Sequence, residues 1–125
     1  MVHKEKILII DDEPAIRRVL ELIFSKHGYH VMLASDGMEG LDLIIKEKPR
    51  VVITDIVMPR LDGRSLCEQT NELKCERPFL TIVITSLISP DKHRWLDKMK
   101  EAELMLKPFD IRKLLNRVNQ YLGKT

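Results

Sequence analysis

Five positions carry side chains that suit one kind of chemistry if the fold gathers them: Asp11 and Asp12, Asp55, Thr85, and Lys107. Carboxylates crowded into one cleft repel and raise each other's pKa, and a divalent cation relieves that repulsion. Hard oxygen ligands with room for water and a phosphate suit magnesium better than zinc. An aspartate carboxylate can itself act as a nucleophile and form an aspartyl phosphate. A cation and a lysine ammonium can neutralise charge on a transferring phosphoryl group from two sides. A threonine hydroxyl can donate to one of its oxygens. The residue types therefore fit transfer of a phosphoryl group to Asp55. Singly, each has a plainer reading: Asp11 and Asp12 as helix caps, Asp55 as a turn residue, Thr85 as a strand-end hydroxyl, Lys107 as a solvated surface lysine. Only the constellation carries the inference.

The elements that must position these residues alternate along the chain. Ile7-Leu8-Ile9-Ile10 is a continuous apolar run, as expected for a strand buried on both faces, and it stops at Asp11-Asp12-Glu13. Pro14 suits the first turn of a helix whose Ile16, Leu20, Ile23 and His27 share a face, with Gly28 as its terminal cap. Val31 to Ala34 reads as a second strand. Ser35 or Asp36 can cap a helix carrying Met38, Leu41, Ile44 and Ile45 on one face, which Pro49 ends. Val51-Val52-Ile53-Thr54 forms a third strand ending at Asp55. The loop Ile56 to Asp62 holds Met58-Pro59 and runs into Asp62-Gly63, both breaker signals. A helix with Leu66, Thr70 and Leu73 in phase follows. Leu80 to Thr85 is the fourth strand, and Ser89-Pro90 opens a helix with Trp95, Leu96 and Met99. Glu103 to Leu106 is a short fifth strand, ending at Lys107-Pro108. Asp110 caps a last helix with Ile111, Leu114, Leu115, Val118 and Leu122 on one face.

Five βα units imply a parallel sheet covered by helices on both sides through right-handed crossovers. Five strands favour the flavodoxin-like order 2-1-3-4-5 over a Rossmann order. That order makes the first and third strands neighbours at the topological switch point, where ligands bind beyond the carboxyl ends of the strands. Asp11, Asp12 and Asp55 would meet there, with Thr85 and Lys107 beside them.

Composition agrees with one folded domain over residues 1–125. The chain has 125 residues, 44% hydrophobic and 32% charged, and a net charge of +2, too small to argue for nucleic acid. Cys67 and Cys75 match neither a zinc nor a CxxC redox spacing and read as reduced thiols. Lys4, Glu5 and Lys6 interrupt any apolar leader, and no stretch is long enough to span a bilayer, so the cytoplasm is the expected compartment. His3, His27, His30 and His93 are scattered and form no metal set.

Ile9-Ile10-Asp11-Asp12-Glu13-Pro14, Thr54-Asp55-Ile56-Val57-Met58-Pro59, Asp62-Gly63, Thr85-Ser86 and Lys107-Pro108-Phe109 together resemble the motif set of bacterial response-regulator receiver domains, in order and over essentially the whole chain. The resemblance implies that Asp55 takes a phosphoryl group from the phosphohistidine of a sensor histidine kinase or phosphotransfer protein. It implies Mg2+ held directly by Asp12 and Asp55, with the Val57 carbonyl as a further ligand and Asp11 acting largely through water. Lys107 would pair with Asp55 and then with the phosphoryl oxygens, Thr85 would move toward them, and the Lys107–Pro108 peptide would be cis. The helix 4–strand 5–helix 5 face would meet an output protein or domain that the sequence does not name, with no direct nucleic-acid or membrane contact by this domain. A homodimer is left open, as is whether the chain stands alone or continues past Thr125.

Departures from the family pattern matter for function. The family's switch aromatic, three positions before the lysine, is Leu104 here. Either the output surface works differently or Leu104 is core packing; altered coupling with intact phosphorylation is favoured, since a phosphoryl group can bias a bistable loop without an aromatic. Lys100-Glu101-Ala102 replaces a frequent Gly-Ala, which blurs the end of the fourth helix. Val57 and Leu87 are apolar where polar side chains orient an attacking water in this family, so self-dephosphorylation is expected to be slow. Lys92, His93, Arg94, Lys98 and Lys100 make the fourth helix basic, a solvated face or a partner surface, and Trp95 is either core or an exposed contact. Three other functions compete. A phosphohydrolase commonly has an acid two residues after its nucleophile, where Val57 stands. A nucleotide or flavin carrier is disfavoured by an Asp-rich first turn. A constitutive interaction module would bind its partner equally with and without phosphoryl donor.

Overall fold

The run Ile7 to Ile10 lies in the interior because its strand, β1 (Lys6–Ile10), has neighbours on both sides. The computed structural model describes residues 4–86 and 90–123, and residues 90–93 by their backbone alone. β1 pairs in parallel with β2 (His30–Ala34) and with β3 (Val51–Asp55), and β4 (Leu80–Thr85) and β5 (Ala102–Leu106) complete a parallel sheet ordered β2-β1-β3-β4-β5. This is the flavodoxin-like order expected. The helices are α1 (Pro14–Lys26), α2 (Gly37–Glu47), α3 (Gly63–Thr70), a single turn α4 (Leu73–Glu76), a 3-10 segment (Pro90–Lys98), and α5 (Ile111–Tyr121).

Alternation along the strands sends side chains to opposite faces. Ile7, Ile9, Ile53, Ile82 and Ile84 pack against Leu20 and Phe24 of α1 and Leu114 and Val118 of α5. Leu8, Ile10 and Val52 pack against Ile44 of α2 and Leu66 of α3. Burial on both faces accounts for the unbroken apolar runs.

Local signals mostly act as their chemistry dictates. Asp36, rather than Ser35, caps α2 by accepting from the Glu39 N–H at 2.9 Å. Asp110 caps α5 by accepting from the Arg112 N–H at 2.8 Å. After α1 the chain turns at Gly28, whose φ of 89° is the left-handed conformation that favours glycine.

Three expectations shift. The helix expected to carry Leu66, Thr70 and Leu73 breaks after Thr70, whose hydroxyl donates back to the Leu66 carbonyl at 2.8 Å, and Leu73 begins α4. The helix expected from Ser89-Pro90 is a 3-10 segment; Asp91, His93 and Trp95 are weak α-helix formers, and the Met99 N–H bonds the Leu96 carbonyl three residues back. Ser89 itself is outside the described residues. On α2, Gly40, Leu41 and Ile44 pack toward the sheet and Gly37 packs on Leu61, which leaves Met38 and Ile45 toward solvent. Trp95 and Leu96 of the 3-10 segment are buried with Cys67 and Val83, so Trp95 is core.

Candidate functional site

Parallel strands end together, so the residue after each strand faces the same edge of the sheet. Asp11 follows β1 directly and is almost fully buried; its N–H donates to the Ala34 carbonyl at 3.2 Å, which ties it to the end of β2. Its Oδ1 accepts from the Glu13 N–H at 2.9 Å, and its carbonyl accepts from the Arg17 guanidinium at 2.6 Å. Asp12 is exposed on the same turn.

Asp55 is the last residue of β3 and is half-buried. Its Oδ1 accepts from the Ile56 N–H at 2.6 Å, and its Oδ2 accepts from the Lys107 ammonium at 2.7 Å. The backbone behind it is fixed by Gly63. The Gly63 N–H donates to the Ile56 carbonyl at 2.8 Å, and a Cβ at position 63 would sit 2.3 Å from the Asp55 carbonyl oxygen. Only glycine permits that approach, which is the physical content of the Asp62-Gly63 signal; Asp62 also caps α3 by accepting from the Ser65 N–H at 2.8 Å.

Lys107 arrives from the far side of the sheet. Its N–H donates to the Thr85 carbonyl at 2.7 Å, extending the β4–β5 pairing by one residue, and the peptide to Pro108 is cis, as the resemblance implied. The ammonium also lies 3.7 Å from Asp11 Oδ2 and 3.8 Å from Glu13 Oε1. Burial works to lower the Lys107 pKa, but the hydrogen bond to Asp55 and the charges of Asp11, Asp55 and Glu13 outweigh it and hold the ammonium above its ordinary value. For Asp11 the balance runs the other way: burial raises its pKa, against the Glu13 N–H bond and the Lys107 charge, which lower it.

The sequence-predicted residues Asp11, Asp12, Asp55 and Lys107 are thus brought together. Thr85 is buried at the end of β4, joined to Lys107 through the backbone. The Val57 side chain is exposed two residues past Asp55, and Leu87 lies outside the described residues. Glu13 and Arg17 were not singled out for a role in the sequence. Glu13 was legible only as the end of an acidic run; Arg17 carries no signal, because its contact runs to a backbone carbonyl. Leu104 is 37% exposed on the edge strand β5, in line with Leu106, which removes the core-packing reading.

One carboxylate oxygen each from Asp11, Asp12 and Asp55 lies within 4.8 Å of the others. The donor set is all hard oxygen, and the bonds to the Glu13 and Ile56 N–H groups occupy only part of it. These residues fit a small divalent cation. The arrangement of acidic cluster, lysine and strand-end hydroxyl residue matches one family throughout: the model of the response regulator receiver domain covers residues 7–119. The chain belongs to this family.

The receiver domain is 40% identical over 123 residues to "Probable transcriptional regulator ycf27" of Guillardia theta, covering 98% of this chain and 47% of that protein. It is 37% identical over 120 residues to "Response regulator MprA" of Mycobacterium sp. (strain KMS), covering 96% of this chain and 51% of that protein. The chain therefore spans about half the length of the curated relatives it matches. Among solved structures it resembles the CheY-like receiver domain protein of Methanospirillum hungatei JF-1, with a TM-score of 0.86, 30% identity, and 97% and 95% of the two chains covered. The Francisella response regulator 1452 receiver domain gives a TM-score of 0.83 at 30% identity, with 94% and 96% covered. The protein is accordingly a receiver domain of the two-component response-regulator type, a signalling module. No described helix is long and apolar enough to cross a membrane.

Proposed function

We propose that Asp55 accepts a phosphoryl group from the phosphohistidine of a sensor histidine kinase or phosphotransfer protein, and that residues 1–125 act as one cytoplasmic receiver domain. An Asp55 carboxylate oxygen forms the new O–P bond as the P–N bond to histidine breaks and the ring nitrogen leaves with the electron pair. The observation that carries this reading is the Lys107 ammonium 2.7 Å from Asp55 Oδ2, in a cleft that two further aspartates share. Lys107 holds the acceptor in place and then stabilises charge on the phosphoryl oxygens. Thr85, at the end of β4, donates to one of those oxygens and draws its loop inward. Asp12, Asp55 and the Val57 carbonyl would hold Mg2+, with Asp11 acting through water. When bound, the ion supplies neutralisation of charge on the phosphoryl group. The domain catalyses only its own phosphoryl transfer and its slow loss.

The test is intact mass after incubation with Mg2+ and acetyl phosphate, beside Asp55→Ala and an EDTA control. A phosphate-sized gain in the parent alone supports both the acceptor and metal roles. No gain with any donor sinks the reading and favours a constitutive interaction module.

The exposed, apolar Val57 cannot orient an attacking water, which supports slow self-dephosphorylation. Val57→Asn is expected to speed loss of the label on the order of tenfold. An unchanged decay, read by mass against time, would remove position 57 from the account.

The output is proposed to leave through the 3-10 segment, β5 and α5 toward a partner protein or a further domain. Leu104, exposed on that face, replaces an aromatic switch with a smaller apolar contact.

A further inference from the structure

Glu13 stands at the mouth of this cleft, and capping does not account for it. It occupies the cap position of α1, yet its side chain accepts no capping hydrogen bond. Most of the side chain is in solvent, and Oε1 lies 3.8 Å from the Lys107 ammonium. Together with Ile16, Ser86, Lys107, Pro108 and Phe109 it lines an open hollow of about 470 Å³, which reaches the acceptor only through Lys107. Lys107 already has a closer acceptor in Asp55 at 2.7 Å, so Glu13 is not needed to hold it. A carboxylate at that mouth acts on whatever brings the phosphoryl group in.

We infer that Glu13 is a specificity residue that discriminates among phosphoryl donors by charge, disfavouring small, strongly anionic donors relative to less negative ones. The inference rests on the proposal that Asp55 is the acceptor. Acetyl phosphate enters as a dianion. An Asp55 oxygen–phosphorus bond forms, the acetyl oxygen–phosphorus bond breaks, and acetate leaves with the electron pair. Phosphoramidate, with a protonated nitrogen, carries less net negative charge; its P–N bond breaks and ammonia leaves. Repulsion by Glu13 acts on the approach of both, and more on the dianion. Because Glu13 is exposed, salt must weaken the effect.

The experiment measures labelling rates by intact mass at saturating Mg2+ for the parent, Glu13→Gln and Glu13→Lys, with both donors, at low and high ionic strength. Thermal melts confirm that each variant is folded. Glu13→Gln is expected to speed labelling by acetyl phosphate about threefold at low salt, and Glu13→Lys about tenfold. The gain should be smaller with phosphoramidate and should shrink toward unity at high salt. Equal rates for all three proteins overturn the inference. So does a change of the same size for both donors and at both salt levels, which would mean that Glu13 acts by posing Lys107. Absence of any mass gain in the parent is a different result: it fails the acceptor reading itself.

Discussion

The two ends of the sheet's carboxyl edge are built on different principles. At the β1–β3 end, Asp11, Asp55 and Lys107 are each held by more than one contact. Asp55 is bonded on both oxygens, Asp11 on its side chain and both backbone groups, and Gly63 packs against the Asp55 backbone. At the β5 end, Leu104 and Leu106 face solvent from an edge strand, and the crossover leading to it is a 3-10 segment. Phosphoryl chemistry needs the first kind of structure, because preorganised groups lose nothing in reorganising. Transmission of a signal needs the second, where few contacts must break for a segment to shift.

Removing a fixed charge from the first region should have the largest effect. Lys107→Met leaves Asp11, Glu13 and Asp55 without their bridging ammonium. Labelling of Asp55 by a small donor should slow by about 10²–10³, the usual cost of one lost electrostatic donor. A rate within a few-fold of the parent would break the comparison, since the charges here would then not be acting as a set.

The turn that enters β5, at the opposite edge of the sheet, is anchored by a buried lysine, and Arg117 of α5 pairs with Glu103 on β5 itself. Lys74 of α4 donates to the carbonyls of Lys100 at 2.5 Å and Glu101 at 3.1 Å, just before β5, and its ammonium lies 4.8 Å from the centre of the Phe79 ring. Burial pulls its pKa down to about 8, against the Glu101 charge, which raises it. Below pH 8 the lysine is protonated in both folded and unfolded states, and the burial cost is carried in full. Between about 8 and the ordinary 10.5 the unfolded chain holds more protons, so this group's contribution to stability rises with pH. Its whole span is on the order of 3 kcal/mol. Denaturant midpoints of the parent and Lys74→Met should therefore diverge in the parent's favour from pH 8 to 10. A constant difference would show that Lys74 titrates normally and that the turn before β5 is less tightly held.

How much of this was legible in the sequence follows the same division. Strand order, the Asp110 cap, and the meeting of Asp11, Asp12, Asp55 and Lys107 could be read because each depends on residue type at a strand or helix end, whereas the choice of Asp36 over Ser35 could not. The break after Thr70 could not, because Asn71 and Glu72 keep helical torsions and only the hydrogen-bond pattern shifts there, to three-residue spacing at Lys74 and Cys75. The tilt that exposes Ile45 depends on how close Gly40 brings α2 to Ile10, a distance that periodicity does not contain. Arg17 reaches a carbonyl, and every residue offers one. Trp95 was ambiguous because a 3-10 segment does not follow the α-helical period by which buried faces are recognised.

The smallest expected effect bears most directly on output. Ile84 and Leu104 lie on neighbouring strands, but Ile84 is 2% exposed and Leu104 is 37% exposed. Ile84→Ala should cost about 2–5 kcal/mol, as core truncations do, whereas Leu104→Ala should cost less than about 1 kcal/mol. If Leu104 carries the signal, its truncation should leave the Asp55 label intact and alter what the label does elsewhere. Trp95, the only tryptophan, reports on that, since it belongs to the 3-10 segment and is buried with Val83, the residue paired with Leu104. A label-dependent change in Trp95 fluorescence that is diminished in Leu104→Ala, at unchanged labelling rate, would assign the coupling to this side chain. The same fluorescence change in both proteins would mean that the 3-10 segment moves without Leu104, and that the replaced aromatic has no successor at its own position.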